Sequence, residues 1–302
     1  MGQNKTLTVF KNELFDYANR DFDIKLLNDG CAFSEGPVWS KDGYYLFSDI
    51  PENCIYKWSP YKGKEVFVSE SGCTSSGMEI LSEQIGSNGL AFDENGNLLI
   101  CQHGNGAIAI WRNKTLEELI PFYNSKRFNS PNDIVVHSDG SVFFSDPPYG
   151  LKDKKLNPEF CQPTAGFYCW RNEELQLFCD QYKYPNGVCL SPDHEVLYTC
   201  SNKPDEAIVM AFDATTLSFQ KIVCRENSDG IKCDRHGNFY LANKDGILII
   251  GADGERMGLI TLPTVPANFC WGGTKGNDLF ITARENIFLI PNLQKDRVAA
   301  GI

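Results

Sequence analysis

Ile134-Val135-Val136-His137-Ser138-Asp139-Gly140-Ser141-Val142-Phe143-Phe144 decides the fold. Two β-rich apolar runs flank an Asp-Gly turn, which is a strong short-range signal for a hairpin. The same arrangement recurs around Gly43, Gly96, His194, Gly237 and Gly276. With Gly140 included, the anchors lie 53, 44, 54, 43 and 39 residues apart, close to the period of a propeller blade, about 40–50 residues.

Each anchor has similar surroundings. An apolar run precedes it, as in Leu90-Ala91-Phe92 or Val188-Cys189-Leu190, and a β-rich run follows, as in Tyr45-Leu46-Phe47 or Phe239-Tyr240-Leu241. A third strand is expected at 55–58, 107–111, 166–170, 208–212, 246–250 and 286–290. A fourth, more polar strand is expected at 65–68, 116–120, 175–178, 219–223 and 258–262. Outermost strands read weakly because half of each faces water. The sixth unit lacks a fourth strand, whereas Phe22-Asp23-Ile24-Lys25-Leu26-Leu27 stands unused before the first unit. Pairing the two removes an open sheet edge. The reading is an all-β, six-bladed β-propeller with four antiparallel strands per blade, closed by an N-terminal strand. It takes 1–302 as a single domain, with the blades between about 20 and 295. A β-sandwich of irregular hairpins is the other all-β reading, but it gives no reason for six repeats.

Composition narrows the function. With 28 Lys+Arg against 39 Asp+Glu the net charge is −11, which repels a phosphate backbone and argues against nucleic acid. No run of about 18 apolar residues offers a membrane span, and the first 20 residues lack the apolar core of a secretory signal. Met1-Gly2-Gln3-Asn4-Lys5-Thr6 fits a short acylation pattern; we read it as a chance match in a polar terminus. None of the 12 cysteines is spaced C-x-x-C, and many lie inside apolar runs. They read as reduced core residues of a cytoplasmic protein. There is no Gly-x-Ser-x-Gly elbow and no strand followed by Gly-x-Gly-x-x-Gly, so neither a serine hydrolase nor a dinucleotide enzyme is supported.

Eight residues before the anchors stand Glu35, Asn88, Asn132, Asn186, Asp229 and Asn268, every one acidic or amide. In a propeller the first strand of each blade lines the central channel, so these residues should meet at one rim. Any one alone reads as a turn residue, since Asn-Gly and Asp-Gly favour turns. Six in one register read as a shared axial site. Oxygen donors of this kind suit a hard cation: two carboxylates neutralise a divalent charge and amides add neutral oxygens. No His or Cys shares the register, which disfavours soft metals. Six residues after the anchors, Asp49, Gln102, Asp146, Asn243 and Thr282 suggest a second ring, interrupted by Cys200. These either orient the inner ring or touch substrate.

At these residues the chain resembles the gluconolactonase/senescence-marker-protein-30/luciferin-regenerating-enzyme family. The matching stretches are Ser34-Glu35-Gly36-Pro37-Val38-Trp39, Phe47-Ser48-Asp49, Ser130-Pro131-Asn132-Asp133, Ser145-Asp146-Pro147-Pro148-Tyr149-Gly150-Leu151, Tyr184-Pro185-Asn186-Gly187-Val188, Asp229-Gly230 and Cys270-Trp271-Gly272-Gly273. The resemblance implies a propeller lactonase with one divalent cation held by Glu35, Asn132, Asn186 and Asp229. Calcium is the first candidate, with Mg, Mn, Zn or Fe as others. Asp229 would be the general base and Asn132 would also touch substrate, a small sugar-acid lactone. Asn88, His103, Asp146 and Tyr149 are candidate substrate contacts; His103 reads equally as a structural histidine. Ser130 stands where the vertebrate branch has Arg, so the wording sits nearer the bacterial branch. The long segments 70–87 and 152–163 are expected to shape specificity. Two other readings remain: an organophosphate or aryl-ester hydrolase on the same metal, and a non-catalytic propeller binding a protein. Oligomeric state is not legible.

Overall fold

The computed structural model describes residues 6–74 and 82–295. The acylation pattern, save Thr6, and residues 75–81 of the 70–87 segment lie outside the described residues. Six antiparallel sheets follow one another along the chain. From the axis outward, the first is Ser34–Ser40, Tyr44–Asp49, Cys54–Ser59 and Gly63–Ser69. The second is Ser87–Phe92, Leu98–Gln102, Ala107–Arg112 and Thr115–Ile120, and the third Ile134–Val136, Val142–Asp146, Gly166–Arg171 and Glu174–Cys179. The fourth is Pro185–Leu190, Val196–Ser201, Val209–Asp213 and Phe219–Cys224. The fifth is Ile231–Cys233, Phe239–Asn243, Gly246–Ile250 and Arg256–Ile260, and the sixth begins Asn268–Gly272, Asp278–Ala283 and Asn286–Ile290. Each inner strand lies beside the inner strand of the next sheet, and the last lies beside the first. This is the six-bladed propeller expected from the repeat.

The N-terminal strand closes the ring as expected, at Lys25–Asn28, where it pairs with Asn286–Ile290. One further strand was not foreseen. Leu7–Val9 pairs with Arg256–Ile260 and gives the fifth blade a fifth strand. Three residues of mixed polarity carry too little periodicity to be read alone. A four-residue helix, Leu14–Tyr17, packs Leu14 and Tyr17 onto the seam between the fifth and sixth blades. Among the described residues, no helix is long and apolar enough to cross a membrane.

Every blade is covered on both faces by its neighbours, so the second strands are apolar at consecutive positions rather than alternating. Leu46 faces the second blade with Leu90 and Ile100. Tyr45 and Phe47 face the sixth with Phe280, whose ring stacks on Tyr45 at 4.1 Å. A buried side chain of this size stabilises the fold by about 1.5–3 kcal/mol. Six such interblade cores encircle the axis. All 12 cysteines are reduced, and nine of them are buried.

Candidate active site and metal centre

The axial ring forms because glycine follows four of its members. A Cβ on Gly36 would come within 1.9 Å of the Asn88 carbonyl oxygen, and one on Gly89 within 2.3 Å of the Asn132 carbonyl oxygen. A Cβ on Gly187 would meet the Asp229 carbonyl oxygen at 2.6 Å, and one on Gly230 the Asn268 side chain at 2.1 Å. These Asn-Gly and Asp-Gly pairs lie in or at the start of inner strands. Glycine is there for close approach of one blade to the next, and only Gly36 among these four has a positive φ, +52°.

The strands deliver Glu35, Asn88, Asn132, Asn186 and Asp229 to a single axial cavity of about 170 Å³. His103 and Tyr149 join them, together with Phe33, Ile50, Gln84, Lys154, Asn202 and Lys203. A larger hollow of about 660 Å³, lined by Phe22, Leu26 and Phe288, brings no paired carboxylates together. Glu35, Asn88, His103, Asn132 and Asn186 are buried; Asp229, Tyr149, Asn202 and Lys203 are partly buried; Lys154 is exposed. The cavity therefore has an acidic and amide-rich floor and a mouth carrying ammonium groups.

Burial and the neighbouring Asp229 charge push the Glu35 carboxyl well above the usual range, although Gly36 N–H donates to it at 2.8 Å. Burial likewise raises Asp229 to about 6, opposed by hydrogen bonds from Asn202 and Asn186. Asn186 Nδ2 donates to Asp229 Oδ1 at 2.5 Å. Two carboxylates that are desolvated and repel each other call for a cation. The side-chain oxygens of Asn88 and Asn186 are buried without any donor, an arrangement that is costly unless something electropositive meets them. Among the described residues no three His, Cys, Asp or Glu side chains gather as a metal centre. The donors here are two carboxylates and amide oxygens, which fit a hard divalent ion.

His103 lines the cavity with Nε2 3.4 Å from Asn88 Nδ2. Burial lowers it to about 4, so it is neutral at physiological pH. Tyr149 donates its hydroxyl hydrogen to Asn202 Oδ1. Asn268 belongs to the ring by register but not to the cavity; its Oδ1 accepts the Phe269 N–H.

Asp146, expected as a substrate contact, is not among the residues that line the cavity. It is fully buried. Its oxygens accept the N–H groups of Asn129 and Ser130, at 3.0 and 2.9 Å, and the Asn129 amide. Asp49 does the same in the first blade, accepting from Ala32 and Phe33 N–H at 2.9 Å. These two members of the second ring fix the chain leading into an inner strand. Their carboxylates are consumed by backbone donors.

Asn202, Lys203 and Lys154 escaped the sequence reading. Asn202 and Lys203 follow the second strand of the fourth blade, two and three residues beyond the Cys200 that broke the register. Lys154 ends a short 3-10 turn within 152–163, and Gln84 comes from the described part of 70–87. Both long segments thus reach the cavity.

The sequence matches the family model described as "SMP-30/Gluconolactonase/LRE-like region" over residues 33–285. The chain belongs to this family. It is 32% identical to a gluconolactonase of Zymomonas mobilis, over 93% of this chain and 84% of that protein. Among solved structures it superposes on a gluconolactonase from Xanthomonas campestris with a TM-score of 0.82 at 24% identity, covering 96% of this chain and 95% of the other. It also superposes on regucalcin, a calcium-binding protein from Agrobacterium tumefaciens, with a TM-score of 0.73 at 16% identity, covering 91% and 96%. At these identities the two likenesses speak for the fold.

Proposed function

We propose that this family member is a metal-dependent lactonase that opens a sugar-acid lactone with water. The observation that carries the proposal is the convergence of Glu35, Asn132, Asn186 and Asp229 on one small axial cavity, with unpaired amide oxygens beside paired carboxylates. The gluconolactonase named at 32% identity supports the substrate class. A divalent cation held by those four residues, with calcium the first candidate, would supply Lewis-acid polarisation of the ester carbonyl.

The chain's own groups account for the rest. Asp229 would act as the general base, taking a proton from the attacking water. Asn186 and Asn202 orient its carboxylate. The acyl carbon–oxygen bond then breaks, the proton passes from Asp229 to the ring oxygen, and the hydroxy acid leaves, losing its carboxyl proton to solvent. Asn132, Asn88 and neutral His103 line the floor as polar contacts for sugar hydroxyls. Ile50 and Phe33 give the cavity an apolar side that limits competing water.

The test is hydrolysis of gluconolactone, xylonolactone and paraoxon after chelation, then after adding back Ca²⁺, Mg²⁺, Mn²⁺, Zn²⁺ and Fe²⁺ singly. Lactone turnover lost on chelation and restored by one ion is expected. Turnover of paraoxon alone, or activity surviving in both Glu35→Gln and Asp229→Asn, would overturn the reading.

A further inference from the structure

The mouth of the cavity is chemically different from its floor. Among the described residues Lys154 and Lys203 are the only Lys or Arg side chains lining it, and His103 is neutral. Among the described residues neither ammonium lies within ion-pair distance of a carboxylate. Lys203 is held in place by other means. Its Nζ lies 4.7 Å from the centre of the Tyr184 ring and 5.6 Å from that of Tyr149. The two rings stack on each other at 5.6 Å. Its backbone N–H donates to Ser201 Oγ at 3.3 Å. Of the two carboxylates in its own loop, Asp205 makes no ion pair with it, and Glu206 is occupied by the Ser201 hydroxyl and the N–H groups of Lys183 and Tyr184. Lys203 feels the charge of Asp229 in the same cavity but makes no ion pair with it, and a cation fixed over aromatic faces in this way is positioned for an anion that comes from outside.

We propose that Lys203, assisted by Lys154, recognises an anionic group on the substrate, so that the preferred lactone carries a carboxylate or phosphate on the carbon remote from its ring carbonyl. This rests on the lactonase reading, which places the carbonyl at the acidic floor. The rest of the molecule is then within the same cavity as the lysines. Charge supports the assignment. The whole chain carries −11 and repels anions at long range, so an anionic substrate needs cations at the point of entry. A divalent ion between Glu35 and Asp229 would cancel the floor and leave both ammoniums uncompensated.

The experiment compares kcat/KM for glucono-1,5-lactone, 6-phosphoglucono-1,5-lactone and glucaro-1,4-lactone in the wild type, Lys203→Gln and Lys203→Glu. The quantity read is the ratio of anionic to neutral kcat/KM. It should exceed one in the wild type, drop about tenfold in Lys203→Gln, as loss of one charge-assisted hydrogen bond implies, and drop further in Lys203→Glu. It should also fall as sodium chloride is raised. A purely structural lesion lowers all three substrates together and leaves the ratio unchanged; that result overturns the proposal. A drop confined to one anionic lactone identifies phosphate or carboxylate as the source. If the wild type opens none of the lactones, the lactonase reading fails, and calorimetry with 6-phosphogluconate and glucarate decides separately. Binding that weakens about tenfold in Lys203→Gln sustains the anion site, and no binding, or equal binding, refutes it.

Discussion

Asn186 gives its side-chain N–H to Asp229 across the seam between the fourth and fifth blades, at 2.5 Å, while its own carbonyl oxygen is buried without a donor. One amide thus orients a carboxylate and presents a bare oxygen. If that oxygen serves a cation, binding must stabilise the fold by mass action. At a calcium concentration one hundred times its Kd, the wild type should gain about 2.7 kcal/mol. Asn186→Ala and Glu35→Gln should lose most of that gain, and Asn186→Ala should also free Asp229 to rotate. Calorimetric melting with calcium and with chelator reads the difference. An undiminished calcium shift in both variants would remove these residues from the metal site.

Gly36 follows Glu35 with φ of +52°, and an added Cβ would lie 1.9 Å from the Asn88 carbonyl oxygen. Gly36→Ala therefore meets both backbone strain and a backbone clash that no rotamer relieves. The cost should be at least about 2 kcal/mol in denaturant unfolding. The Glu35 carboxylate, which accepts the Gly36 N–H, should move with it and weaken calcium binding. Gly43→Ala is the control: it also has positive φ, but an added Cβ finds no atom within 4 Å. It should be milder in stability and leave calcium affinity unaltered. Equal losses in the two variants would show that strain alone, without interblade contact, governs the site.

The fold was legible because each blade repeats a hairpin with Asp-Gly or Asn-Gly chemistry, and because both faces of a blade are buried and so read as dense apolar runs. Even the closing strand at Lys25–Asn28 could be inferred, since a missing partner and a spare strand matched. Leu7–Val9 could not, because it completes nothing that the repeat requires. The axial ring was visible as a register of six polar residues, five of which line the cavity. Asp146 misled because register places a residue at a rim without saying which way its carboxylate turns; the N–H groups of Asn129 and Ser130 decide that. Lys203 lies on a loop outside every period, where only contacts between blades reveal it.

His103 is 1% exposed, and burial lowers its pKa to about 4. The unfolded histidine takes a proton near 6.5. Between those values the unfolded chain binds more protons, so stability falls as pH is lowered through this window, by up to about 3 kcal/mol. Glu35 and Asp229, raised by burial, contribute the opposite slope, since groups with raised folded values gain stability as pH falls toward their unfolded values. The histidine term is isolated by subtracting the profile of His103→Gln from that of the wild type. A difference curve that is flat between pH 4 and 6.5 would mean that His103 titrates normally.

Lys232 Nζ lies 3.1 Å from Asp133 Oδ2, with side chains 21% and 5% exposed. Asp133 also accepts the N–H of Val188 at 3.1 Å, so one carboxylate of the third blade binds the fourth and the fifth. Burial is the largest single influence and would lower the Lys232 ammonium, but the Asp133 charge and hydrogen bond, together with Cys189 and Cys270, hold it above its ordinary value. Removing one partner of such a pair leaves an uncompensated charge and costs about 3–5 kcal/mol. Lys232→Met should show that loss in guanidinium unfolding. In an Asp133→Asn background the amide oxygen still accepts the backbone N–H, no charge is stranded, and the same substitution should cost at least about 1 kcal/mol less. Strict additivity would mean that the ion pair does not couple the blades and that packing around the channel holds the ring together without it.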